Sequence, residues 1–367
     1  MKRLLAFAAV LLCLTGWAAA ADETDALARE RAEQVTGSLT GEAASLMQGV
    51  PETLDDGLGA AAARLIENAA SGSQSAWCAA LRSLGKLLLV AVLCGVMQGI
   101  YTAAGSGDLP IVTMAGALGM TAVLMTDLSG MMGLCRDTLA QVSTFSKAML
   151  PVMAAAVSVT GAPTAATVMQ GVTMFAFDLL VRFINGLLLP AVGVYIAVIT
   201  VNAAVGNGLL GQLASFVKWV VTGSMKLVLT IFIAYLTISG VIGGSADALA
   251  VKTAKFAVSG SVPVVGGIIS DAAESMLAGA VLIRNTVGVA GMLCVAAICL
   301  VPFLKVGFNY LLFKAGGAVL SPVCGGPLAS LVAGLSDSMG LMLGMLGTCS
   351  AIIFFELVFS ITLVNPI

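Results

Sequence analysis

The sequence predicts an all-α, polytopic helical membrane protein of about seven spans, and three observations carry that prediction. Hydrophobic residues make up 59% of the chain and charged ones only 10%, where soluble domains carry about 25% charged residues. Several uninterrupted apolar runs approach or reach the roughly 20 residues that a helix needs to cross a bilayer. The acids are gathered at one end, ten of the nineteen preceding residue 70. Together these describe a solvated N-terminal segment followed by a lipid-embedded body. A soluble enzyme would need far more polar surface than this chain can present. The 42 glycines and 18 methionines suit helices whose backbones approach closely.

Residues 1–20 read as a signal peptide. Lys2 and Arg3 form its basic start, 4–14 its apolar centre, and Ala18-Ala19-Ala20 a small-residue cleavage site. Export would place 21–86 outside the cytoplasm. Within that segment Val35, Leu39, Leu46, Val50, Leu54, Leu58 and Leu65 recur at helical spacing and form one apolar stripe. Pro51 interrupts it, giving two amphipathic helices. Three surfaces are open to the stripe: the chain's own membrane body, a partner protein, or the membrane surface.

The membrane body is 87–367. Expected spans are 87–104, 109–126, 164–181, 187–205, 227–243, 286–304 and 339–363, with amphipathic stretches at 127–148 and 208–226. Gly161-Ala162-Pro163 ends one apolar run. The stretches 149–163, 261–284 and 315–336 read as re-entrant or broken helices. Arg82 and Lys86 flank the first mature span on the exported side, against the positive-inside tendency, so loop sidedness stays open.

Much chemistry is excluded by composition. There is no histidine, which removes the commonest general base and metal ligand. Paired intramembrane aspartates and a P-loop are also missing, so the chain is expected to be no enzyme, to hold no cofactor and to bind no nucleic acid. Gly206-Asn207-Gly208-Leu209-Leu210-Gly211 matches G-x-G-x-x-G, but an apolar span rather than a strand precedes it. The cysteines form no C-x-x-C pair, and Cys94, Cys294, Cys299 and Cys349 read as small apolar residues. Gly95/Gly99, Gly240/Gly244 and Gly340/Gly344 are G-x-x-x-G pairs, read first as packing within the chain.

The candidate pathway or structural residues lie in three places. In 250–292, Pro263, Gly266 and Gly267 interrupt the apolar centre, and Asp271, Glu274 and Arg284 set polar groups beside the break. Irregular backbone at membrane depth survives only inside protein or along a watery cavity. The stretch is therefore either a broken, pathway-lining element or a structural hairpin with its charges at the interface. Asp178 and Arg182 stand four apart, acid first, as a helical ion pair. Glu356 lies near the middle of the last apolar run, where a charge costs roughly 2.5–3.5 kcal/mol. It must be protonated, paired (Arg182 and Arg284 are the conceivable partners) or facing a cavity.

The block 250–292 resembles the stage III sporulation protein AE family of endospore-forming bacteria. The resemblance rests on Lys252-Thr253-Ala254-Lys255-Phe256, on V-P-V-V-G-G at 262–267, on S-D-A-A-E at 270–274 and on N-T-V-G-V-A-G at 285–291. The order of signal segment, polar amphipathic stretch and several spans is also similar. The resemblance implies a membrane subunit of the channel complex between mother cell and forespore. It implies placement in the mother-cell membrane that engulfs the forespore. It also implies partners in that membrane and in the intermembrane space, including a separate ATPase subunit. It implies no catalytic residues. The Ala/Gly-rich, aromatic-poor N-terminal region departs from the family, so partner contacts there do not carry over. Two other readings stand beside this one. A self-sufficient ion-coupled secondary transporter would use Glu356, Asp271 and Glu274; a pure scaffold would tolerate neutral replacements at all three.

Overall fold

An apolar chain in lipid has no hydrogen-bond partner for its backbone except itself, and every regular element among the described residues is helical. The computed structural model describes residues 39, 42–48, 50, 58–72, 74–103, 110–159, 163–206, 208–261, 266–322 and 326–362. Along 156–159, 163–170, 239–261, 266–285 and 359–362 it describes the helical backbone alone.

Two short N-terminal helices come first, α1 (Glu42–Leu46) and α2 (Leu58–Gly72). The body follows: α3 (Gln74–Ala103), α4 (Pro110–Val159), α5 (Pro163–Phe183), a π-helical turn (Ile184–Leu188), α6 (Leu189–Val205), α7 (Gly208–Ser261), α8 (Gly266–Leu320) and α9 (Gly326–Thr362). The described residues hold six helical stretches long and apolar enough to cross a membrane. This is a multi-pass membrane protein.

Six stretches stand where seven were expected, because 164–181 and 187–205 lie on one continuous rod. Asn185 and Gly186 do not break it. They fall in the π-helical turn, where the ladder widens just before Pro190, a residue with no N–H to give. The amphipathic stretches 127–148 and 208–226 are likewise not separate elements, but the middle of α4 and the start of α7. The signals at 161–163 do separate helices, since α4 ends at Val159 and α5 opens on Pro163. Gly206 closes α6 in the left-handed region at φ 71°, and Gly208 opens α7. The G-x-G-x-x-G match is thus a helix cap and turn.

The bundle is built around α8 and α9, an antiparallel hairpin against which α4 and the other body helices pack. The core is Leu, Val, Ile, Met, small residues and a few aromatics, with Val287, Cys294, Val306, Phe313, Leu331, Met339 and Met345 at or near zero exposure. Cys299 and Cys349 are buried too, as expected of apolar cysteines, and the Ser350 hydroxyl donates to Cys299 Sγ at 2.9 Å. Of the G-x-x-x-G pairs, Gly340 sits against the Tyr310 ring and Gly344 against Met225, so this pair packs within the chain. Leu89, Leu93 and Val96 on α3, Val194 and Val201 on α6, and Phe175 on α5 point outward, as a lipid-facing surface requires.

Three helices exceed any bilayer. α4 has 50 residues, α7 has 54 and α8 has 55, about 75–83 Å each at 1.5 Å per residue, against a hydrocarbon core of about 30 Å. Ion pairs join separate elements: Lys86–Asp127 at 3.2 Å, Lys218–Asp337 at 2.7 Å and Lys305–Glu42 at 2.8 Å.

That last pair seats the N-terminal stripe. Leu39, Leu46, Val50 and Leu65 are buried, and α1 and α2 lie on α8. Val35 and Leu54 fall outside the described residues. Of the three surfaces open to the stripe, its described part covers the chain's own membrane body. The Asn68 amide closes the segment on itself, donating to the carbonyls of Leu46 at 2.9 Å and Gln48 at 3.2 Å.

Candidate functional site

Among the described residues, Glu356 is the acid that the fold hides most completely. Helical spacing puts it one turn beyond Ile352 on the inward face of α9, and it is 1% exposed. The Thr173 hydroxyl of α5 lies beside it, yet neither Thr173 Oγ1 nor Glu356 Oε2 completes a hydrogen bond. Burying such a group without a partner costs about 1–3 kcal/mol or more. The neighbouring walls are apolar. Val172, Ala176, Leu179, Leu180 and Phe183 of α5, Val228, Ile231, Phe232 and Tyr235 of α7, and Ile352 of α9 line a cleft of about 510 Å³.

The purified chain should therefore be more stable without this acid. Glu356→Leu is expected to raise the thermal unfolding midpoint in detergent, corresponding to about 1 kcal/mol or more. A lowered midpoint would mean that the carboxyl is holding the bundle together.

Arg182 does not serve Glu356. Its Nε donates to Asp178 Oδ2 at 2.7 Å, and Lys147 Nζ donates to Asp178 Oδ1 at 2.8 Å. The expected Asp178–Arg182 pair is present, extended by a lysine from α4, and lies on the outer surface with Arg182 79% exposed. The block 250–292 is only partly visible. α7 ends at Ser261 and α8 begins at Gly266 and Gly267, while Pro263 and the side chains of Asp271, Glu274 and Arg284 lie outside the described residues.

A second polar centre was not anticipated. Lys218 of α7 donates to Asp337 Oδ2 of α9 at 2.7 Å, and the Tyr195 hydroxyl of α6 stands beside the same carboxylate. Across a cleft of about 310 Å³, Lys314 donates to Tyr310 OH at 2.9 Å. Lys218 and Asp337 are 119 residues apart, so only packing joins them. The one hint in the sequence was that each is an isolated charge in an apolar neighbourhood. Neither centre has the geometry of a nucleophile with its base, and the described residues contain no group of three or more metal-ligating side chains. What the arrangement supplies is one buried acid and one partly exposed ion pair that ties α7 to α9.

Comparison with known proteins agrees with the resemblance at 250–292. A family model described as stage III sporulation protein AE matches residues 46–364. The stage III sporulation protein AE of Bacillus subtilis (strain 168) is 22% identical over 283 residues, which cover 77% of this chain and 71% of that protein. No solved structure matches. The matched stretch runs from the buried Leu46 through the whole bundle and past Glu356, and the chain belongs to the stage III sporulation protein AE family.

Proposed function

We propose that this protein is a membrane-embedded, non-enzymatic subunit of a channel or secretion-like complex between mother cell and forespore, needed for forespore development after engulfment. It sits in the mother-cell membrane that surrounds the forespore. The signal at 1–20 delivers 21–86 to the intermembrane space, and a separate ATPase subunit supplies the energy, since this sequence has no P-loop. The observation that carries the reading is the family match, which takes in both the end of the N-terminal segment and the membrane body. The fold is compatible with it. α1 and α2 rest on α8, where Glu42 pairs with Lys305, so a partner reaching them also reaches the main hairpin.

The test is a clean deletion in the organism of origin. Vegetative growth is expected to be normal, and sporulation to stop after engulfment is complete. Normal spore yield would overturn the proposal.

A further inference from the structure

The hairpin of α8 and α9 does not close along its whole length. Gly317 and Ala318 of α8 face Ala329 and Ala333 of α9, and side chains that small leave the cleft of about 310 Å³ between the two helices. Gly317 lies against Ala333, and the antiparallel register then places Lys314 and Asp337 at one end of the cleft and Ser321 at the other, beside the turn.

The two charges that line the cleft are not equally satisfied. Asp337 is already matched, since Lys218 donates to its Oδ2 at 2.7 Å and the Tyr195 hydroxyl stands beside it. Lys314 is not. Its ammonium donates to Tyr310 OH at 2.9 Å and lies 5.2 Å from the centre of that ring, and a neutral phenol leaves the charge standing. An ammonium has three N–H groups to give, and no acid among the described residues forms an ion pair with Lys314. Its surroundings make that costly. Leu311 and Val319, before and after it on α8, are 57% and 62% exposed, as on a lipid-facing surface, where an unmatched charge costs about 2.5–3.5 kcal/mol. The cleft therefore lacks an anion, not a cation. In a bilayer the anion at hand is a phospholipid phosphate, and basic pockets between membrane helices take up such headgroups. A zwitterionic headgroup suits the cleft less well, because its own cation would need Asp337, which Lys218 occupies.

We propose that the α8–α9 cleft binds the phosphate of an anionic phospholipid, which pairs with the Lys314 ammonium while its acyl chains lie on Leu311 and Val319. Ser321, about 10 Å farther along α8, offers its hydroxyl to the remainder of the headgroup. The inference does not depend on the chain's place in a complex, since a membrane protein of any role can hold such a lipid.

Native mass spectrometry of the full chain in detergent tests it, with phosphatidylglycerol, phosphatidylcholine and inorganic phosphate titrated separately. Phosphatidylglycerol is expected to bind well ahead of the other two. Lys314→Gln should weaken its binding about tenfold, equivalent to roughly 1.4 kcal/mol, and Lys314→Arg should keep most of it. Ala333→Leu fills the cleft without touching a charge and should weaken binding as well. Lys226→Gln removes an exposed lysine of α7 outside the cleft and should change nothing. Equal binding of the two lipids would overturn the proposal, as would a Lys314→Gln effect no larger than that of Lys226→Gln. Full binding by Ala333→Leu would overturn it too. Displacement of the lipid by inorganic phosphate at the same concentration would make the site one for a soluble anion and overturn the lipid assignment. Thermal midpoints of the lipid-free variants separate lost binding from lost folding; if Lys314→Gln lowers its midpoint, Ala333→Leu decides.

Discussion

Replacing Gly334 with leucine is expected to cost about 1–3 kcal/mol or more and to deplete the protein from the membrane. Gly334 lies on α9 where it crosses α6. A Cβ added there would stand 2.8 Å from Ile199 Cδ1, 3.3 Å from Cγ2 and 3.4 Å from Cβ. Ile199 is buried and branched at Cβ, so it cannot swing away as an unbranched chain would. Three further carbons have nowhere to go without parting the two helices. Gly193, on α6, has nothing within 4 Å of an added Cβ. Alanine there should be neutral or stabilising, by up to about 1 kcal/mol. Thermal unfolding of the two variants in detergent checks the contrast, and equal midpoints would show that the α6–α9 crossing is loose.

The second large effect concerns Lys218 and Asp337. Their side chains are 44% and 38% exposed, but exposed to what surrounds the bundle at that height. If water surrounds them, the pair contributes no more than about 1 kcal/mol. If lipid does, Asp337→Leu strands an ammonium in hydrocarbon, at about 2.5–3.5 kcal/mol. The lipid value is expected, because the flanking outward residues Leu213, Phe216 and Trp219 are large and apolar. The double replacement of Lys218 and Asp337 by leucine should then recover most of the loss. Unfolding of both single variants and the double variant in lipid nanodiscs measures the coupling. Losses that simply add would place the pair in water.

Much of this architecture could be read from local chemistry. Apolar density gave the helices, Gly161-Ala162-Pro163 gave the gap between α4 and α5, and the spacing of Leu46, Val50 and Leu65 gave the buried face of the N-terminal segment. The Asp178–Arg182 pair followed from i,i+4 spacing alone. What failed to show was decided at long range. Asn185-Gly186 has the composition of a turn, yet a π-helical turn carries the rod through it. Nothing near Lys218 names Asp337, and nothing near Thr121 names Thr200, whose hydroxyl meets it at 2.9 Å across α4 and α6. The isolation of Glu356 was visible, since a lone acid in an apolar run is conspicuous. The roles of Thr173 and Tyr235 were not, because a threonine or tyrosine in a membrane helix is ordinary until its hydroxyl is found unpartnered.

The lengths of α4, α7 and α8 have a mechanical consequence. Even at the 40° limit of usual membrane tilt, a rod of about 75 Å rises roughly 57 Å, almost twice the hydrocarbon thickness. These helices therefore work as struts. They are anchored over part of their length and stand clear of the lipid over the remainder. At that tilt a far end on one side stands about 15 Å beyond the headgroups, and a small change of tilt in the anchored part is magnified there like the swing of a lever.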